Sequence, residues 1–189
     1  MLSSILPTCQ KVLPRPGIAL ADGLCAAGIP PWDYNSVFTG QVVSQAFELA
    51  SGDYLYLYQA DNFGPSVLEI MAVSPFHSVL ESGYLLTGSE PDGFLAGGLR
   101  PIGATYDAGV PSPVVSYNYP SFFGAHIPAG QHGRTMYLIS ANAPAMGEAF
   151  VINSGTAVTD VVVPIPEPAT IGLLALGGVL LMVRRRHRA

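Results

Sequence analysis

Charge is what this chain of 189 residues has least of: Asp, Glu, Lys and Arg together make 11% of it, about half the usual share of a soluble domain. Before Arg184 the only basic residues are Lys11, Arg15, Arg100 and Arg134, set against thirteen acids. Nothing there forms a basic patch that could displace counterions from a polyanion, so nucleic acid is excluded as a partner of this part. Cysteine is nearly absent, with Cys9 and Cys25 only. Two cysteines in an N-terminal stretch leave room for one disulfide in an exported protein, or for none. They lack the His/Cys company of a zinc site, and no metal is expected. Also missing are a Gly-x-Ser-x-Gly elbow, the Asp-x-Asp-x-Asp-Gly calcium pattern, and a glycine-rich loop set between a strand and a helix. These absences remove the common hydrolase, EF-hand-type calcium and phosphate-cradle chemistries, and leave room only for an incidental calcium ion in a loop.

What the chain has in quantity is turn residues and aromatics: 21 Gly, 17 Pro, 9 Tyr and 8 Phe, with 49% of residues apolar. That apolar share is too high for a disordered chain and sufficient for one core. The mixture suits a turn-rich β domain whose outside carries Ser, Thr, Asn, Gln and Tyr.

Period-two alternation begins near Val37. Phe38, Val42, Val43 and Ala46 to Leu49 lead to a turn at Ser51-Gly52-Asp53, and Tyr54-Leu55-Tyr56-Leu57-Tyr58-Gln59 is the clearest strand, with tyrosines on one face and leucines on the other. The spacing implies one face on the core. The row Tyr54, Tyr56 and Tyr58 is either a cross-strand aromatic ladder or, together with Trp32, a platform for stacking sugars. Asp61-Asn62-Phe63-Gly64-Pro65 reads as a turn and Val67 to Val73 as the returning strand of a hairpin. Further strands are expected at 83–87, 114–117, 135–140, 148–152 and 158–163. With no amphipathic helix among them, an all-β fold follows, an antiparallel β-sandwich or jelly-roll-like domain over residues 37–163. Residues 1–36, rich in proline, are expected to be loosely ordered. Met1 to Leu6 meets Pro7 before an h-region is built, and Lys11 and Arg15 follow, so a leader is expected upstream of Met1.

Candidate chemistry in the domain is sparse. His126 and His132, six apart around Ile127-Pro128-Ala129-Gly130, lack a nearby carboxylate and read as loop histidines, and His77 as a hydrogen-bonded turn residue. Glu48, Glu69, Glu81 and Asp107 offer carboxylates that spacing cannot pair across a cleft, and Asp53, Asp61 and Asp92 read as turn acids. No assembled catalytic site is implied; the chain is expected not to be an enzyme and to need no cofactor.

The last segment is different in kind. The prolines at 164, 166 and 168 remove backbone donors and fix φ, which predicts an extended strip over 163–170 that neither sheet nor helix absorbs. Residues 169–183 carry no charge, and Ile171, Leu173, Leu174, Leu176, Val179, Leu180, Leu181 and Val183 give them a membrane-compatible surface. As a helix they would reach roughly 22 Å against a hydrocarbon core of about 30 Å. A buried core helix has the same length. The basic tail at 184–189, with Arg184, Arg185, Arg186 and Arg188, favours a single transmembrane helix whose C-terminal end stays cytoplasmic.

Pro166-Glu167-Pro168 followed by Ala169-Thr170, an apolar helix and an arginine cluster resembles the PEP-CTERM sorting signal of exported bacterial proteins. The resemblance implies recognition by exosortase, a membrane-embedded cysteine-protease-like transpeptidase, with Pro166, Glu167 and Pro168 as a substrate's recognition residues in a signal at 164–189. The middle of the chain, with its Tyr-Leu-Tyr-Leu-Tyr-Gln run, Ser74-Pro75-Phe76-His77, Gly83-Tyr84-Leu85 and Ile127-Pro128-Ala129-Gly130, is similar to the cargo domains of such proteins. That likeness implies an exported surface or extracellular-matrix protein, delivered through the inner membrane and associated with exopolysaccharide or biofilm. A carbohydrate-binding module and a permanently anchored envelope protein are the alternatives.

Overall fold

The structure, a computed structural model, describes residues 32–34, 38–119, 126–153 and 155–166. They form antiparallel strands in two sheets, and no helix occurs among the described residues. The strands are β1 (Trp32–Tyr34), β2 (Phe38–Glu48), β3 (Tyr54–Asn62), β4 (Ile70–Ser74), β5 (Val79–Tyr84), β6 (Gly103–Asp107), β7 (Val114–Asn118), β8 (Gln131–His132), β9 (Met136–Ser140), β10 (Pro144–Ile152) and β11 (Thr156–Pro164). One sheet has the order β1-β2-β3-β9-β5 with β8 also on β3; the other has the order β11-β10-β4-β7-β6.

The two sheets share one core. Val42 and Ala46 of β2, Tyr56, Tyr58 and Ala60 of β3, and Met136 and Leu138 of β9 meet Met71 and Val73 of β4, Val115 and Tyr117 of β7, Ala149 and Val151 of β10, and Ala157, Val161 and Val163 of β11. Alternation along each strand makes this possible, since every second side chain points inward.

The turn expected at Ser51-Gly52-Asp53 joins β2 to β3, with Gly52 at φ 87° and its N–H donated to the Leu49 carbonyl. The expected hairpin after β3 is not formed. β3 runs on to Asn62 in the first sheet, and the returning strand β4 belongs to the second, flanked by β10 and β7. The cause is Asn62, which is fully buried: its carboxamide donates to the carbonyls of Ser66 and Ile127 (2.7 and 2.9 Å) and accepts from the Gly64 N–H. These bonds hold the connection across the top of the core, so the chain changes sheet instead of folding back beside itself. Asp61 is therefore not a turn acid. It lies within β3, 2% exposed.

β3 also departs from the one-sided burial expected of it. Its leucine face is covered by residues 85–99, with Phe94 packed on Phe47, Leu55 and Leu57 in a second apolar cluster. β1, β6 and β8 were not expected as strands. β6 is exposed at every residue, so it carries no alternation to read; β8 is two residues long; and β1 lies in the segment expected to be loose, paired through its backbone to residues 38–40 of β2.

Candidate functional site

Two places carry chemistry worth building up: the polar row on the outer face of the first sheet, and the junction where the domain meets the sorting motif.

On the outer face of β3, Gln59 and Asp61 follow Leu55 and Leu57. Gln59 is fully buried; its amide donates to the carbonyls of Leu95 (2.8 Å) and Gly133 (3.1 Å), and its carbonyl accepts the Leu95 N–H (2.7 Å). One side chain thus clasps residues 85–99 to the sheet. Two residues on, Asp61 sits in register between Gln41 of β2 and His132 of β8. Gln41 donates its amide to Asp61 Oδ2 at 2.5 Å, while Oδ1 is buried without a partner. Burial raises the Asp61 carboxyl above its ordinary value; the Gln41 hydrogen bond and the nearby His132 oppose that shift without cancelling it. His132 faces the Ala96 carbonyl at 3.3 Å through Nε2. The row has a carboxylate, a carboxamide and an imidazole, but no nucleophile. Among the described residues no three His, Cys, Asp or Glu side chains group as metal ligands.

Residues 85–99 are organised from within by Glu90, whose carboxylate accepts the N–H groups of Gly88 (2.6 Å) and Gly97 (2.8 Å). Burial pushes this carboxyl up, but the N–H groups of Gly97, Glu90 itself, Gly88 and Ser89 outweigh it, and the net shift is downward. Arg134 lies 5.3 Å from the ring centre of Tyr84, beside the same segment.

The tyrosine row belongs to the core. Tyr56 and Tyr58 are fully buried, edge-on to Phe76 at 5.5 and 6.4 Å, and Tyr54 packs against the same cluster. Tyr58 donates its hydroxyl to the Val162 carbonyl (2.5 Å) and Tyr56 to the Asn142 carbonyl (2.8 Å). A sugar face cannot reach rings enclosed on all sides, and the rings form no cross-strand aromatic ladder either: Tyr56 lies opposite Ala46 and Leu138, and Tyr58 opposite Ser44 and Met136, so both are core residues packed on Phe76. Burial also holds both phenols well above their usual range.

Of the remaining candidates, Glu48, Glu81 and Asp107 are exposed on separate strands, and Glu81 accepts the Tyr137 hydroxyl at 2.6 Å. His77 contributes its backbone, with the carbonyl accepting the Ser140 hydroxyl. His126 has a buried Nδ1 without a partner. Sequence reasoning missed Gln41, Gln59 and the burial of Asp61; a polar residue interrupting the apolar face of the clearest strand was the available signal.

At the C-terminal end, β11 is paired with β10 along its whole length, from Ile152 with Thr156 to Pro144 with Pro164. Val161, Val162, Val163 and Pro164 are all buried. Past the strand, the Ile165 N–H donates to the Ala143 carbonyl at 3.2 Å and its side chain rests on the core, whereas Pro166 is exposed. Val163 ends the strand expected at 158–163, and Pro164, expected in a strip that no sheet absorbs, is sheet as well. Proline is tolerated there because β11 is the edge strand, and Pro144 and Pro164 face each other at the end of the ladder where no further donor is required. Glu167, Pro168, the apolar residues from Ile171 to Val183, the arginines from Arg184 to Arg188, and Cys9 and Cys25 lie outside the described residues. Among the described residues, no helix is long and apolar enough to cross a membrane.

No curated protein and no solved structure is matched by this chain. Residues 164–186, beginning on the last residue of β11, match the family model of the PEP-CTERM protein-sorting motif, which identifies this end of the chain as a sorting signal and supports an exported, exosortase-sorted protein.

Proposed function

We propose that this protein is a non-catalytic component of the cell surface or extracellular matrix, delivered by exosortase through its C-terminal signal and associated with exopolysaccharide. The observation that carries the reading is the sorting motif joined directly to the last strand of an otherwise self-contained domain. In this reading the apolar segment at 169–183 is a transmembrane helix that stops translocation, and Arg184, Arg185, Arg186 and Arg188 keep the C-terminus in the cytoplasm. Pro166, Glu167 and Pro168 are then the recognition residues on the outer side. The two sheets around one core are the layers of a β-sandwich, a fold able to persist outside the cell without a cofactor. Low charge and a surface of turns and polar residues suit a hydrated polysaccharide network. Dispersed single acids and an enclosed polar row, with no nucleophile beside a base among the described residues, support a non-catalytic role.

The test is fractionation in a host that has its exosortase. Wild-type protein is expected in the medium or on the surface in shortened form, and Pro166-Glu167-Pro168→Ala-Ala-Ala in the membrane at full length. Full-length membrane protein in both strains would instead identify a permanent anchor.

A further inference from the structure

The structure places a folded boundary inside the segment that the processing enzyme must approach. From Val161 to Ile165 the chain is held on several sides at once. The Val162 N–H donates to Ser44 Oγ at 3.1 Å and its carbonyl accepts the Tyr58 hydroxyl. Val163 is fully buried, packed over Gly147, where an added Cβ would collide with its Cγ2. The Pro164 carbonyl accepts the His77 N–H at 3.4 Å, and the Ile165 N–H is donated to Ala143. Peptide-bond cleavage needs the scissile carbonyl exposed to the nucleophile and its flanking backbone free to lie extended in the enzyme. Any bond from 161 to 165 meets that need only after β11 is drawn out of the sheet. Pro166 is the first residue beyond this clasp, and it is exposed.

We propose that the scissile bond lies C-terminal to Pro166, so that the mature protein retains the whole of β11, Ile165 and Pro166. This rests on exosortase processing as given above and narrows where it acts. In the step itself, the enzyme's nucleophile adds to the carbonyl carbon, the C–N bond breaks, and the amine of the departing tail leaves carrying a proton. Water, or an amine acceptor at the surface, then takes the acyl group from the enzyme. A second consequence concerns distance: with no linker between Ile165 and the motif, the enzyme meets the folded domain at once, at the end formed by Asn142 to Pro144 and His77.

The experiment is intact mass and C-terminal peptide sequencing of the product released by the exosortase-bearing host from the full chain. It is run beside a variant carrying Gly-Ser-Gly-Ser inserted between Ile165 and Pro166, which leaves β11 untouched. The expected product ends at Pro166 or beyond it. In the insertion variant the cut keeps its position relative to Pro166 and the processed fraction rises, because the domain stands further off. A product ending at or before Ile165 would overturn the proposal while leaving exosortase processing in place. Absence of any shortened product from both chains would overturn the sorting reading and this proposal with it.

Discussion

At Asp61 and Glu90 the same functional group is shifted in opposite directions by its surroundings, and the two carboxylates make stability depend on pH with opposite signs. The native state holds the Asp61 proton more tightly than the unfolded chain does. Its contribution is therefore fully present below the ordinary value of 3.8 and is lost as pH rises through the raised folded value. Replacing Asp61 by Asn removes that loss: the unfolding midpoint of Asp61→Asn is expected to gain on wild type as pH is raised from about 3 to 7. A difference that stays flat across this range would refute the buried-carboxylate account. Glu90 has its contribution above 4.5 and loses it as pH falls through the lowered value, so Glu90→Gln is expected to be the less stable chain at neutral pH and to converge with wild type in acid. Tyr58 belongs to the same scale. Tyr58→Phe keeps the ring but leaves the buried Val162 carbonyl without its hydroxyl donor, and about 1–3 kcal/mol should be lost in denaturant unfolding.

Among the elements, β11 links fold to sorting. Its inward residues Ala157, Val161 and Val163 belong to the main core, and among the described residues no further strand pairs with its outer edge, so it can end in a proline without breaking a ladder. Its packing depends on Gly147 of β10, where a side chain would meet Val163 and the Ser74 carbonyl, the latter at 2.9 Å. Gly147→Ala is expected to cost about 1–3 kcal/mol by overpacking. The check is a urea midpoint; an unchanged midpoint would mean that β11 shifts freely. Because β11 precedes the motif directly, the same substitution should also increase proteolysis within residues 161–165 during export. β3 shows the complementary case of a strand read correctly for its existence and alternation but not for its neighbours. Tyrosine and leucine faces are both apolar, so nothing local says that residues 85–99 will return to cover the second one, and Gln59, which clasps them, looks like an ordinary surface glutamine in the strand pattern.

For the whole molecule, the division of labour is between a two-sheet domain built around one core and an end that carries an address. The comparison of wild type with the triple-alanine motif variant belongs here, because delivery is a property of domain and signal together. Composition and alternation by themselves determined that the described domain is all-β and that most of its strands lie where they do, and the order of residues at the chain's end carried its resemblance to a sorting signal. Each of these is local: a period of two, a turn glycine, or a run of proline, apolar and arginine residues in order. Tertiary structure alone decided that β3 and β4 lie in different sheets, that Tyr56 and Tyr58 are enclosed, that Asp61 is buried, and that the domain extends to Ile165. Those outcomes depend on which distant segment covers a given face or accepts a given hydrogen bond, as Val162 does from Tyr58 across 104 positions of chain. Burial is a relation between segments, and no single stretch of sequence contains it.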